Sequence, residues 1–260
     1  MAHALKIWPL LTGTIRYEKT ISTYNRGHGQ WINAPILAYL IETTQGRILY
    51  DAGCDYRKIS DPVQHQQFFA DMHPVIEPPQ MQPEQRIPHY LKKLGLTTAD
   101  IDLILIGHLH FDHVGGLCDL PGCEVHIHKD ELVAARTEQV PGIFSDELLQ
   151  SDQWRLQHTE YELAPGVHVL TTPGHTAGHL SLLIGLPQSR SIILCGDAAD
   201  LSENLTDEIA PGCCWQDNYE QGLTSIRKLK SIAISEKAQL WPNHDMFFFK
   251  TLPVFPTGYE

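Results

Sequence analysis

Four side chains that can bind metal ions fall within six residues of the chain: His108, His110, Asp112 and His113. They directly follow the apolar run 101–106, which is short, rich in isoleucine and followed by a glycine, as is typical of a buried strand. Side chains two positions apart on an extended chain share a face, so the first two histidines can reach one metal ion together. The aspartate and the third histidine follow on a turn and point to a different place. The spacing therefore predicts two metal ions side by side.

The alternative for this stretch is a strand with a few histidines near its exposed end. A single histidine would be interpreted in that way in most proteins. Three histidines and an aspartate in the order H-x-H-x-D-H, directly after a predicted core strand, satisfy a demanding ligand spacing. The pattern therefore favours a metal site.

Three later segments each place a ligand-type residue just after an apolar run. They are 171–179 (T-T-P-G-H-T-A-G-H), 195–197 (C-G-D) and 242–245 (P-N-H-D). Several strands of one sheet can end at the same place, so these segments are expected to converge on the first motif. Any one of them alone would be a weak signal, but together with the first motif they are a strong one.

Strands and helices are predicted in two similar batches along the chain. The predicted strands are 4–11, 36–42, 47–50, 101–106, 125–128, 167–170, 180–184, 191–194 and 238–241, and the predicted helices are 84–94, 130–137 and 218–233. This order predicts one domain over residues 1–260 that consists of two pseudo-duplicated halves. The expected architecture is a layered, β-rich sandwich with helices outside and its site at the strand ends.

Two parts of the chain outside the motifs are candidates for a supporting role. The segment 61–85 contains Phe68, Phe69 and Met72 and is too rich in proline for one regular element. Its apolar side chains either form a lip over a pocket or pack against the body of the protein. Asp51 follows a predicted strand, and its carboxylate is either a simple turn residue or a group that orients a ligand histidine.

Composition excludes several classes of function. The net charge is −12 with only 19 lysine and arginine residues and no basic run, so binding to nucleic acid or to an anionic membrane surface is disfavoured. No apolar run approaches the length needed to span a membrane, and no cationic segment precedes the interrupted apolar stretch near the N-terminus. The six cysteines show no paired secretory spacing, which favours reduced thiols and a cytoplasmic protein.

The order H-x-H-x-D-H, then P-G-H-T-x-G-H, then G-D, then H-D resembles the metallo-β-lactamase superfamily. The resemblance covers nearly the whole chain and implies an α/β fold, the four-layer αββα sandwich of that superfamily. It also implies two divalent metal ions, with zinc as the expected metal. The implied ligands are His108, His110 and His175 for the first ion, Asp112, His113 and His244 for the second, and Asp197 as a bridge, with His179 beside the ligands and not among them.

Within the superfamily, the sequence resembles the N-acyl homoserine lactone lactonases and the related 4-pyridoxolactonase. This resemblance implies a hydrolase that opens a small lactone ring, with Asp112 and Asp197 as catalytic residues and a small-molecule lactone as the substrate. One position departs from the lactonase pattern: these enzymes usually carry a tyrosine that contacts the substrate carbonyl three residues after the bridging aspartate, where this chain has Asp200. A carboxylate donates a hydrogen bond only when protonated, so another donor such as Tyr24 would have to take that role.

Other functions use the same kind of metal site. A thioesterase and a phosphotriester hydrolase are the alternatives among enzymes, and a metal-stabilised binding protein is the alternative from another class. A structural zinc site is normally closed by four protein ligands, whereas the implied site keeps an open position for a hydroxide. This difference favours an enzyme. Whether the protein forms a homodimer is left open by the sequence.

Overall fold

The computed structural model describes residues 4–70, 74–149 and 154–260, and in these residues the strands form two sheets. The first sheet has the order β1-β2-β3-β4-β5-β6, with β1 Lys6–Glu18, β2 Trp31–Thr43, β3 Gly46–Tyr50, β4 Leu103–Leu105, β5 Glu124–His128 and β6 Trp154–Gln157. The second has the order β11-β10-β9-β8-β7, with β7 Tyr161–Ala164, β8 Val167–Thr171, β9 Leu180–Ile184, β10 Ile192–Leu194 and β11 Gln239–Trp241. Met72 lies outside the described residues.

Eight α-helices accompany the sheets in the part of the chain that is described. They are α1 Tyr56–Ser60, α2 Pro62–Phe69, α3 Ile87–Lys93, α4 Phe111–Val114, α5 Lys129–Thr137, α6 Ser202–Thr206, α7 Tyr219–Ser235 and α8 Met246–Phe249. None of the helices in the described ranges is long and apolar enough to cross a membrane.

The two sheets pack face to face through an apolar core. Leu37 of β2 and Leu105 of β4 belong to the same buried cluster as Val169 of β8, Leu182 of β9 and Leu194 of β10. Burying a side chain of this size contributes about 1.5–3 kcal/mol each, so this interface holds the sandwich together.

Helices cover both outer faces. Leu91 of α3 and Leu132 of α5 are buried against the outside of the first sheet, and Ile226 and Leu229 of α7 are buried beside Ile193 on the outside of the second. The layers are therefore helix, sheet, sheet and helix. The predicted fold class, the αββα sandwich, is correct.

The segment 61–85 is more regular than its proline content predicted. Pro62 occupies the first turn of α2, and the Asp61 side chain accepts hydrogen bonds from the backbone N–H groups of Val63 and Gln64. A proline in the first helical turn removes no intrahelical hydrogen bond, which is why it is compatible with a helix here. The prediction of an irregular connection is therefore wrong for α2.

The predicted helix 84–94 is shorter in the structure. Residues 83–85 form a 3-10 turn, and α3 begins at Ile87 with Pro88 in its first turn. The helix ends before Gly95, whose φ of +75° suits glycine. The proline therefore sets the start of the helix and the glycine sets its end.

Candidate metal centre

The first motif changes from an extended chain to a helical turn between its ligands. His108 follows β4, and His110 has an extended backbone at the N-cap of α4, so Asp112 and His113 lie on the helix itself. A helical turn rotates successive side chains and aims these two away from the first pair. The predicted division of the motif into two sets of ligands thus has a local cause.

Two glycines allow this motif to lie directly against the segment that follows β3. A Cβ atom on Gly116 would lie 2.1 Å from the carbonyl oxygen of Ala52, and one on Gly115 would lie 2.4 Å from the backbone nitrogen of Asp55. The close approach is fixed by a hydrogen bond from the N–H of Ala52 to the carbonyl of His113, at 2.8 Å. The glycines after the motif therefore serve packing.

Three buried side chains and one half-buried side chain, that of His110, form a first group of converging ligand atoms. In His108, His110, His175 and Asp197, one ligand atom each lies within 4.8 Å of the others. The Nδ1 atom of His110 is 3.0 Å from Nε2 of His108 and 3.0 Å from Nε2 of His175. His175 donates from Nδ1 to the carbonyl of Cys213 at 3.0 Å, which leaves its Nε2 lone pair free for a cation.

A second group of ligand atoms adjoins the first and consists of Asp112, His113 and His244. His244 donates from Nδ1 to the carbonyl of Pro35 at 2.8 Å, and its Nε2 lies 3.7 Å from the Asp112 carboxylate. The Nε2 atom of His113 is buried and has no hydrogen-bond partner among the described residues. A buried nitrogen without a partner is costly, and a metal ion would satisfy it.

Asp51 fixes the orientation of one of these ligands. Its Oδ2 atom accepts a hydrogen bond from Nδ1 of His113 at 2.8 Å, while its Oδ1 accepts the backbone N–H of Gly107 at 2.7 Å. The carboxylate therefore holds the tautomer of His113 in which Nε2 faces the second group. Of the two interpretations of Asp51, the structure favours the one that orients a histidine.

Asp197 lies between the two groups. Its Oδ1 atom is 3.4 Å from Nε2 of His113, and its Oδ2 atom is 3.2 Å from Nε2 of His244 and 3.5 Å from Nε2 of His175. Asn243 donates from Nδ2 to Oδ1 of the same carboxylate at 2.9 Å. This role of Asn243 was not predicted, although the residue directly precedes His244 in the last motif.

His179 contacts the centre in a different way. Its Nε2 atom accepts the backbone N–H of Asp197 at 2.9 Å, so that lone pair is not available to a metal ion. Glu131 was also missed: it is buried on α5 and accepts the backbone N–H groups of Leu109 at 3.0 Å and Gly178 at 2.9 Å. One carboxylate therefore joins the two histidine-bearing loops.

Burial and neighbouring charges shift the pKa values of several side chains at this centre. Burial lowers the pKa of His110 to about 4 and that of His175 to about 3, so these rings are neutral at pH 7, as metal ligands must be. Burial opposes ionisation of Asp197, but the neighbouring imidazoles, His244 foremost, outweigh it and lower the pKa of this carboxyl. Burial and the charge of Asp197 raise the pKa of Asp200 to about 8.

Phe68 and Phe69, two of the predicted substrate residues, pack in an aromatic cluster with Phe111 and Phe144. Phe69 is buried on α2, and its ring centroid is 5.7 Å from that of Phe111, the residue before Asp112. Phe68 is partly buried, with its ring centroid 5.1 Å from that of Phe144. Both side chains pack against the body of the protein, which is the second of the two interpretations given above.

The two tyrosines near this region occupy different environments. Tyr24 is 40% exposed and stacks on Tyr219 with ring centroids 3.6 Å apart. Tyr17, which the sequence analysis did not single out, is buried with its ring edge against His244 at 6.5 Å and its hydroxyl 2.8 Å from that of Ser22.

Comparison with known proteins identifies the family. A model of the metallo-beta-lactamase superfamily matches residues 32–233. The chain belongs to this superfamily. It is 33% identical over 228 residues to an N-acyl homoserine lactonase of Bacillus cereus, with 88% of each chain covered, and 27% identical over 255 residues to N-acyl homoserine lactonase AttM of Rhizobium radiobacter, with 93% of each covered.

Solved structures of the metallo-beta-lactamase superfamily agree with this assignment. An N-acyl homoserine lactone hydrolase with the product N-hexanoyl-L-homoserine at its catalytic metal centre superposes with a TM-score of 0.88 at 30% identity, covering 100% of both chains. The dizinc quorum-quenching lactonase AidC shares the fold, with a TM-score of 0.69 at 17% identity over 95% of this chain and 92% of AidC. The predicted resemblance is confirmed, as is the prediction that the chain is an enzyme of the hydrolase class.

Proposed function

We propose that this metallo-beta-lactamase superfamily member is a dinuclear metal-dependent lactonase that opens the ring of N-acyl homoserine lactones. The observation that carries the proposal is the pair of buried ligand groups joined by Asp197, in a chain 33% identical to a lactonase. A quorum-quenching role would follow from hydrolysis of this substrate class.

The donor atoms fit two divalent ions. The first group offers three imidazole nitrogens and one carboxylate, from His108, His110, His175 and Asp197, and the second offers Asp112, His113 and His244 with the same carboxylate. Mixed imidazole and carboxylate ligands suit zinc and its neighbours in the first transition row. When bound, such ions polarise an ester carbonyl and lower the pKa of water so that it is a nucleophile near neutral pH.

The protein's own groups would position the Asp197 carboxylate and transfer protons. Asn243 donates a hydrogen bond to the Asp197 carboxylate, and the backbone N–H of Asp197 donates to His179, so both residues would position this side chain. Asp112, which is only 8% exposed, would take the proton of the attacking water. It would pass this proton to the ring oxygen, which leaves as an alcohol.

A screen of the purified, metal-analysed protein tests the function. Proton release on homoserine lactones, and none from a matched sample of Asp197→Asn, is the expected result. Turnover of thioesters alone would contradict the lactonase and indicate a thioesterase, and turnover of phosphotriesters alone would indicate a phosphotriester hydrolase. Stabilisation by metal without any turnover would indicate a metal-stabilised binding protein. A lactone is the proposed small-molecule partner, and the homodimer and the cytoplasmic location stay predictions.

A further inference from the structure

Asp200 is a buried carboxylate for which the proposed lactonase mechanism has no use. The residue is 3% exposed, and its Oδ1 atom has no hydrogen-bond partner among the residues that the structure describes. A buried carboxylate oxygen without a partner is costly, and a metal ion would satisfy it.

The backbone brings Asp200 to the metal centre. The N–H of His244 donates to the carbonyl of Asp200 at 2.9 Å, and the N–H of Asn243 donates to the carbonyl of Ala199 at 3.2 Å. These two bonds join the loop after β10 to the loop after β11. As a result, a carboxylate oxygen of Asp200 and ligand atoms of Asp197 and His244 all lie within 4.8 Å of one another.

Three carboxylates lie close together in a buried volume here. Asp112, Asp197 and Asp200 are 8%, 5% and 3% exposed, and His244 faces the Asp197 carboxylate at 3.2 Å. Buried carboxylates are costly unless they are paired or bind a metal ion. A divalent cation would be such a partner for all three.

We propose that Asp200 is an additional ligand of the second metal ion and that it shifts this position towards a harder metal such as Mn²⁺ or Fe²⁺. The proposal rests on the dinuclear centre of the proposed function. With Asp200 included, the second position has two imidazoles and three carboxylates, whereas the first keeps three imidazoles and the shared Asp197. An oxygen-rich set with more than four protein ligands suits Mn²⁺ better than zinc, which prefers four.

This proposal is tested by measuring metal binding, not turnover. Wild-type protein, Asp200→Asn and the control Glu236→Gln are stripped of metal and titrated with Zn²⁺ and with Mn²⁺ against a chelator. Glu236 is an exposed residue at the C-cap of α7, a 17-residue helix about 25 Å long whose first turns lie beside Gly174 near the metal centre. The control therefore removes one negative charge far from the centre.

We expect Asp200→Asn to weaken binding of the second ion by at least about 10-fold, more for Mn²⁺ than for Zn²⁺, with the first ion and the control unchanged. Equal affinity for both ions in Asp200→Asn and wild type would overturn the proposal and leave the dinuclear centre intact. A wild-type protein that binds only one ion would overturn both.

A second measurement needs no variant. Anomalous diffraction from wild-type crystals loaded with Mn²⁺ should place a carboxylate oxygen of Asp200 at ligand distance from the second ion. An ion bound there with Asp200 turned away would rule the proposal out, even if the asparagine variant failed to fold.

Discussion

His179 holds the backbone of Asp197: its Nε2 atom accepts the N–H of that residue at 2.9 Å. The other ring nitrogen, Nδ1, faces the hydroxyl of Thr172 at 2.8 Å, and this hydroxyl is 2.7 Å from that of Ser181. Ser181 in turn donates to the carbonyl of Cys195 at 2.8 Å. The hydroxyl of Ser181 therefore accepts from Thr172, and the hydroxyl of Thr172 accepts from Nδ1 of His179. The imidazole is neutral because burial lowers its pKa to about 3.

A change of His179 should therefore reduce metal binding although the residue is not a proposed ligand. We expect His179→Asn to weaken binding of the ions by about 10–100-fold, because Asp197 loses the contact that positions it. Titration against a chelator measures the effect. His126→Asn on β5 is the matched control, since His126 contacts Tyr161 and Glu124 and not the centre. Equal loss in both variants would show that only general stability had changed.

Asp51 offers a substitution that leaves the backbone undisturbed. Its φ is +60°, a region in which asparagine and aspartate are favoured among residues other than glycine. Asp51→Asn should keep the fold but weaken the bond to Nδ1 of His113, and we expect about 10–100-fold weaker binding of the second ion. Elemental analysis after dialysis reports the loss. Two tightly held ions in this variant would contradict the role given to the carboxylate.

The bridging position of Asp197 predicts that metal content and activity fall together. Asp197→Asn keeps the shape of the side chain but removes the charge that both ligand groups share. The metal content and the rate of lactone hydrolysis should both decrease. The control Asp130→Asn, at an exposed position in the first turn of α5, should match wild type in both quantities. A fully active variant that retains two ions would contradict the assignment.

The convergence of the candidate ligands could be predicted from the sequence because they stand in short segments just after apolar runs. His108, His110 and His175 needed only their spacing and the resemblance. Asp51 and Asn243 differ, since their roles depend on bonds to partners 62 and 46 positions away along the chain. No local sequence pattern predicts which distant partner such a residue contacts.

The layered fold was predicted equally well, because strands and amphipathic helices have recognisable periods. Helix α2 was missed because the prolines of the segment 61–85 were counted without regard to position, and the only one in the helix, Pro62, lies in its first turn. Glu131 was missed for a related reason: an acidic residue in the first turn of a helix is usually a solvated group that favours the helix dipole. Here it is 1% exposed and accepts two backbone N–H groups of other segments. Only the tertiary packing distinguishes the two cases.

Asp200 also predicts an effect on substrate turnover. Asp200→Tyr introduces the phenol that lactonases are expected to carry at this position, and such a donor is worth up to about 10²-fold in rate. At saturating metal, we expect faster hydrolysis of homoserine lactones by this variant than by wild type. Asp200→Phe, which lacks the hydroxyl, separates donation from bulk. An unchanged rate in the tyrosine variant would mean that another group already donates to the substrate.

Lys58 predicts a large effect on stability. Its side chain is 2% exposed, and Nζ lies 2.8 Å from Oε1 of Glu147 and 4.0 Å from the ring centroid of Phe68. At about pH 9, above the pKa of about 8 that Glu147 has in the folded protein, Lys58→Met leaves this carboxylate buried without its cation, and we expect the free energy of unfolding to fall by about 3–5 kcal/mol. Adding Glu147→Gln removes the stranded charge and should restore part of the loss. Denaturant unfolding measures both, and additive losses would contradict a direct pairing.

The same glutamate predicts how stability depends on pH. Burial raises the pKa of Glu147 from 4.5 to about 8 in the folded protein, although Lys58 opposes the shift. The folded state therefore binds this proton more tightly than the unfolded state, so the contribution of Glu147 to stability is complete below pH 4.5 and is lost as the pH rises towards 8. Glu147→Gln cannot ionise, and its free energy of unfolding should decline less than that of wild type over this range. Parallel curves for the two proteins would mean that Glu147 is already ionised at low pH, held by Lys58 more strongly than burial opposes it.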